Sequence, residues 1–118
     1  MEDPMQVVRR FNEAFNRHDV RELMSLMTDD VFFENTNPPP DGARFVGQAD
    51  VRAFWERFFA ANPDARFDTD EMFSVGDRVV VLCVYNKTKD GKPWHLRGVD
   101  LFRIRDGKVS EKRSYVKG

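Results

Sequence analysis

Residues 31–47, VFFENTNPPPDGARFVG, lie between two helical patterns and decide how the chain is organised. A short apolar strand ends on a polar residue, Asn35. The run Pro38-Pro39-Pro40-Asp41-Gly42 follows. Prolines cannot donate to a ladder and have a fixed φ, so this run is the interior of neither a strand nor a helix. It must wrap over an edge or a rim. Asn35 stands at that rim, where a pocket needs a fixed hydrogen-bonding group.

Upstream, Asp3 followed by Pro4 marks a helix start, with a side-chain acceptor at the N-cap and a ring that wastes no N–H. Val8, Phe11, Phe15 and His18 recur at steps of three and four, forming one stripe of an amphipathic helix. The His18 side chain reads as a C-terminal cap favoured by the helix dipole. Asp19 caps a shorter helix with Val20, Leu23, Met24 and Met27 on one face, and Thr28-Asp29-Asp30 reads as the turn that ends it. Downstream of Gly47, Val51, Phe54, Trp55, Phe58 and Phe59 repeat the helical spacing until Asn62-Pro63 stops it.

From Arg66 onward the period falls to two. Strands are expected over 66–75, 78–88, 93–105 and 108–116, joined by turns at Gly76-Asp77, at residues 89–92 and at Asp106-Gly107. Helices first and an antiparallel meander after them give an α+β fold, with three helices packed on one face of a curved sheet. Residues 79–85 are apolar at both parities, so that strand is covered on both faces. Three short helices cover only one face, which leaves the other for a second copy of the chain; the expected assembly is a homodimer through the outer sheet face.

The bulk properties narrow the partners. The 118 residues make one domain with one core. Eleven phenylalanines against two tyrosines favour apolar walls, and 19 basic residues interspersed with 20 acidic ones lack the electrostatic footprint of a nucleic-acid binder. No apolar run approaches the ~20 residues of a membrane helix. The beginning MEDPMQVVRRF has no secretory apolar region. The expected location is the cytoplasm, with no membrane and no nucleic-acid partner. The lone Cys83 excludes an internal disulfide and a cysteine-based metal cluster, and reads as a buried structural thiol. Asp29 and Asp30 have no histidine companion. No nucleotide loop, serine-hydrolase elbow or zinc motif occurs, so neither metal nor cofactor is expected.

The candidate chemistry lies on the long strand. Leu96, Gly98, Asp100, Phe102 and Ile104 share one face, apolar except for Asp100; His95 falls on the other. A carboxylate among Leu and Phe side chains is the kind of group that general acid–base catalysis uses, and Gly98 beside it leaves room for a ligand. A two-residue turn at Asp106-Gly107 sets Asp100 opposite Arg113, whereas a three-residue loop with a bulge sets it opposite Lys112. Asp100 therefore reads either as an acid/base or as half of an ion pair across the sheet. Asn35 closes the face of Val31 and Phe33, and reads either as an orienting amide or as a loop-starting Asn bonded to its own backbone.

AFNRHDV, LMSLMTDDVFFEN, the proline loop, FVGQADVRAFW and GVDLFRIRDGKVSEKRSY, in that order, resemble the nuclear-transport-factor-two-like superfamily, and within it the SnoaL-like proteins. The resemblance implies a cone: a strongly bent, mainly antiparallel sheet around three helices, with a deep apolar pocket and dimerisation through the sheet. It also implies the register in which Lys112, Ser114 and Val116 face inward with Asp100. Phe11, Phe33, Trp55, Leu96, Gly98, Lys112, Ser114 and Val116 then form the substrate-binding set, and Asp100 and Asn35 the catalytic pair.

Asp100 matches the pocket acid of ketosteroid isomerases, but their tyrosine falls on Phe11 and their general base on Asn35. Limonene-epoxide-hydrolase-like enzymes carry a Tyr-x-Asn where this chain has Phe33-Glu34-Asn35. Their arginine falls on Gly98 and their second aspartate on Ser114. Polyketide-cyclase relatives need little beyond one pocket Asp. Two functions follow: an isomerase, cyclase or hydrolase in which Asp100 moves a proton on a small apolar substrate, or a non-catalytic binder of a small apolar ligand.

Overall fold

The computed structural model describes residues 3–117. Helices α1 (Pro4–Asn16) and α2 (Val20–Ser25) precede strands β1 (Met27–Glu34) and β2 (Arg44–Val46). Helix α3 (Gln48–Ala61) leads into β3 (Arg66–Val75), β4 (Arg78–Lys89), β5 (Lys92–Arg105) and β6 (Lys108–Val116). The six strands form one mixed sheet in the order β2-β1-β6-β5-β4-β3, with β1 parallel to β6 and every other neighbour antiparallel. Three helices pack on this mainly antiparallel sheet, an α+β architecture.

Each helix starts and stops for local reasons. The Asp3 carboxylate accepts from the Met5 N–H at 2.9 Å, with Pro4 at the first helical position. At the other end of α1, His18 adopts φ 55°, its N–H reaches the Phe15 carbonyl, and the Asp19 N–H reaches that of Ala14. These two bonds are the backbone cap that a left-handed residue makes possible. The His18 ring serves elsewhere than expected: Nε2 lies 2.7 Å from the Ala65 carbonyl oxygen and the ring stacks on Phe59. Asp19 then caps α2 through the Glu22 N–H.

Val7, Val8, Phe11, Ala14 and Phe15 are the buried stripe of α1; Val51, Trp55 and Phe59 are that of α3. The indole of Trp55 is the centre of the core, 5.2 Å from Phe33, 5.7 Å from Phe15 and 5.8 Å from Phe59 between ring centroids. Each such side chain contributes about 1.5–3 kcal/mol through removal from water. No helix among the described residues is long and apolar enough to cross a membrane.

Two local readings are corrected. Asp29 and Asp30 lie inside β1, not in a turn, because their side chains face solvent, where Asp30 pairs with Arg105 and accepts from Thr28. The proline run leads not directly to a helix but to the three-residue strand β2, which pairs Phe33 with Phe45. Between these strands the loop is closed on itself. The Asn35 N–H donates to Ala43, Ala43 to Asn37 and Gly42 to Pro38, each at 2.9 Å. Gly42 has φ 84°, and a Cβ there would lie 1.7 Å from the Asn35 carbonyl oxygen.

Gly42→Ala is therefore expected to lower the unfolding midpoint far more than Gly91→Ala. Gly91 also has a positive φ but nothing within 4 Å of its would-be Cβ, so that substitution costs only the left-handed backbone penalty of about 1–2 kcal/mol. Chemical denaturation of the two variants checks the ranking.

Candidate functional site

Between the helices and the concave side of β3–β6 lies a cavity of about 110 Å³. Its walls are aromatic because α1, α3, β1 and β3 turn their apolar stripes toward one another: Phe15, Phe33, Phe54, Trp55, Phe58 and Phe67. Cys83 and Tyr85 of β4, Leu96, Gly98 and Asp100 of β5, and Lys112, Ser114 and Val116 of β6 complete it. Asn35, Thr36 and Asn37 form the rim.

The alternation along β5 turns Asp100 inward, where it is 5% exposed. What stands opposite it depends on β6. Asp106 and Gly107, with φ of 54° and 73°, make a two-residue turn that pairs Arg105 with Lys108. That turn alone would place Arg113 opposite Asp100. A bulge at Ser110 adds one residue, so Arg103 pairs with Glu111, Phe102 with Lys112 and Asp100 with Ser114. The cross-strand partner of Asp100 is thus neither Arg113 nor Lys112. A one-residue shift exchanges the two faces of a strand, and here it sends Lys112 and Ser114 inward.

Lys112 reaches Asp100 diagonally. Its Nζ is 3.6 Å from Asp100 Oδ2 and donates to Ser114 Oγ at 3.0 Å. The ammonium, on a residue only 2% exposed, also lies 4.9 Å from the centroid of Phe33 and 5.8 Å from those of Trp55 and Phe102. Ring quadrupoles and the carboxylate together offset the loss of water around the charge. Cys83 Sγ lies 4.0 Å from the same Oδ2. Burial, reinforced by the negative charge of Asp100, pushes its thiol up to about 12, so it stays protonated and is no nucleophile at neutral pH. Burial likewise pushes the Tyr85 hydroxyl up to about 12.

Of the residues read from the sequence, Asn35, Phe33, Trp55, Leu96, Gly98, Asp100, Lys112, Ser114 and Val116 all meet at this cavity. Phe11 does not. It lies one turn before Phe15 on α1, packed under the cavity against Phe102 at 5.4 Å, and Phe15 takes the lining position. The side-chain amide of Asn35 has no protein partner among the described residues; only its backbone is tied, to Ala43. The sequence did not mark Tyr85; its hydroxyl and the Nε1 of Trp55 are buried polar atoms without a hydrogen-bond partner, both on cavity-lining residues. The period-two pattern of β4 already placed Tyr85 on the face of Cys83.

Residues 8–112 match the SnoaL-like domain family. No curated protein matches the chain. Among solved structures, an NTF2-like protein of unknown function from Mesorhizobium loti is 36% identical, with TM-score 0.83 over 100% of this chain and 97% of that one. A putative polyketide cyclase from Streptomyces antibioticus is 22% identical, with TM-score 0.82 over 98% and 93%. A ketosteroid isomerase-like-fold protein from Catenulispora acidiphila, in complex with trimethylamine, is 19% identical, with TM-score 0.82 over 92% and 83%.

Removing one partner of a buried pair strands the other, at a cost of about 3–5 kcal/mol. Asp100→Asn and Lys112→Met are each expected to lose stability on that scale, and the double variant to recover most of it. A denaturation double-mutant cycle measures the coupling, and additive losses would show that the pair is not coupled.

Proposed function

The chain belongs to the SnoaL-like domain family, and on that premise we propose that residues 1–118 are a single such domain, a cofactor-independent enzyme acting on a small, largely apolar molecule. The observation that carries this reading is that the buried carboxylate of Asp100 faces the same aromatic cavity as Lys112, under a rim that presents the unpartnered Asn35 amide. Asp100, 3.6 Å from the Lys112 Nζ, acts as the base. It takes a proton from a carbon next to a carbonyl and returns it to another atom of the substrate, the step shared by isomerisation and aldol-type cyclisation. Asn35 orients a carbonyl or a water at the mouth. The cyclase among the structural neighbours supports a small-molecule pocket in this fold; the reaction class rests on the residues themselves.

One observation favours a second reading. Asp100 and Lys112 form an ion pair at 3.6 Å, an arrangement that also suits a non-catalytic binder using both as polar anchors. Hydrogen–deuterium exchange separates the two. With cyclic ketones and 1,3-diketones in D2O, the wild-type protein is expected to accelerate α-proton exchange by ~10²–10⁴-fold, and Asp100→Asn to abolish the effect while still binding the ketones. Binding by the wild type without exchange would leave the binder.

We also propose a homodimer. Phe73 is paired with Val80 and Val80 with Leu101; Leu82 is paired with Val99 and Val99 with Tyr115. These side chains make an apolar band across the outer face, with Phe73 44% and Tyr115 48% exposed. Light scattering is expected to give twice the 13.8 kDa chain mass; the mass of a single chain at tens of micromolar protein would rule the dimer out.

A further inference from the structure

The cavity contains more donors than it can use. An ammonium has three N–H donors, yet that of Lys112 makes one hydrogen bond, to Ser114, and meets Asp100 only at 3.6 Å, beyond hydrogen-bond length. Trp55 Nε1, which can only donate, and the hydroxyl of Tyr85 are buried without partners on the same lining. The aromatic rings around Nζ have the geometry of a cation cage: Phe33, Trp55, Phe67 and Phe102 all lie within 6 Å of it. The cage is already filled, by the protein's own cation.

Resting on the pocket reading above, we propose that Lys112 sets the charge of the ligand: the cavity accepts a small ring bearing an anionic oxygen, of the phenolate or enolate kind, and rejects amines. The oxygen takes the donor capacity of the ammonium that Ser114 leaves unused. A ligand ammonium would instead meet a second positive charge within the same low-dielectric walls. The enclosed space of about 110 Å³ is smaller than the cavity of about 150 Å³ that holds benzene, so a ligand is limited to a single ring that extends through the open side of the cavity. For an enolising substrate, Lys112 then holds the oxygen on which negative charge develops while Asp100 holds the proton, so the two charges of the pair divide the two products of one C–H cleavage.

Three probes test this on the intact protein: 4-nitrophenolate, followed by its absorbance; nitrobenzene, its neutral relative; and tetramethylammonium, followed by calorimetry. Lys112→Met is expected to weaken 4-nitrophenolate binding by about tenfold or more while changing nitrobenzene affinity by less than about threefold. Tetramethylammonium is expected not to bind the wild type and to bind Lys112→Ala, in which the emptied cage keeps Asp100. If Lys112→Met does not fold, the double variant Asp100→Asn/Lys112→Met, in which neither charge of the pair is stranded, takes its place in the comparison with the wild type. Undiminished 4-nitrophenolate binding without the lysine, or tetramethylammonium binding to the wild type, would overturn the proposal. Nitrobenzene binding to none of the proteins would overturn the pocket reading itself, and this inference with it.

Discussion

One extra residue in β6 governs the interior. Ser110 is inserted between Val109, which pairs with Ile104, and Glu111, which pairs with Arg103. Because side chains alternate along a strand, this bulge reverses the assignment of everything after it. Glu111 goes outward to Arg78, Lys112 inward to Asp100, and Arg113 outward over Phe32. Ser110 is itself held, its hydroxyl donating to the Arg103 carbonyl at 3.2 Å. Without the insertion the cavity would receive the forked, larger guanidinium of Arg113 and lose both Lys112 and Ser114.

The rest of the interior accommodates this charged pair. A lysine and an aspartate this deeply buried carry a desolvation cost that only good company offsets. The company is aromatic: rings from β1, α3, β3 and β5 converge on Nζ from different sides. Trp55 is therefore both the hub of the core and a wall of the site. The same packing that makes the domain cohere also holds the ammonium, which ties stability to site geometry.

Much of this was legible in the sequence where a local rule acts alone. Asp3-Pro4, the stripe of α3 and the period-two strands from Arg66 are each set by neighbours a few residues away. The inward face of β5, with Asp100 in its middle, follows from parity. Legibility ended where a distant partner decides. The bulge at Ser110 has no glycine to announce it, so both turn geometries gave the wrong partner for Asp100. The strand β2 is too short for a period, and Asp29-Asp30 carries residue types that favour turns, yet Arg105 gives Asp30 a reason to lie in a strand. Phe11 and Phe15 share one stripe, and only the docking of α1 against β3 and β5 decides which of them reaches the cavity.

The parallel pairing of β1 with β6 has a consequence for how the chain acquires its site. Phe33 stands beside Lys112, so the two halves of the aromatic cage come from widely separated parts of the sequence. The helices and β1 are made first, and β3 to β5 can then close as successive hairpins, but β1 has no inner neighbour until β6 arrives. Pairings of such long range slow folding, because the chain between them must lose its freedom before they give any return. Until then Phe33 and Trp55 face a gap, which makes the last strand both the latch of the fold and the carrier of its buried cation.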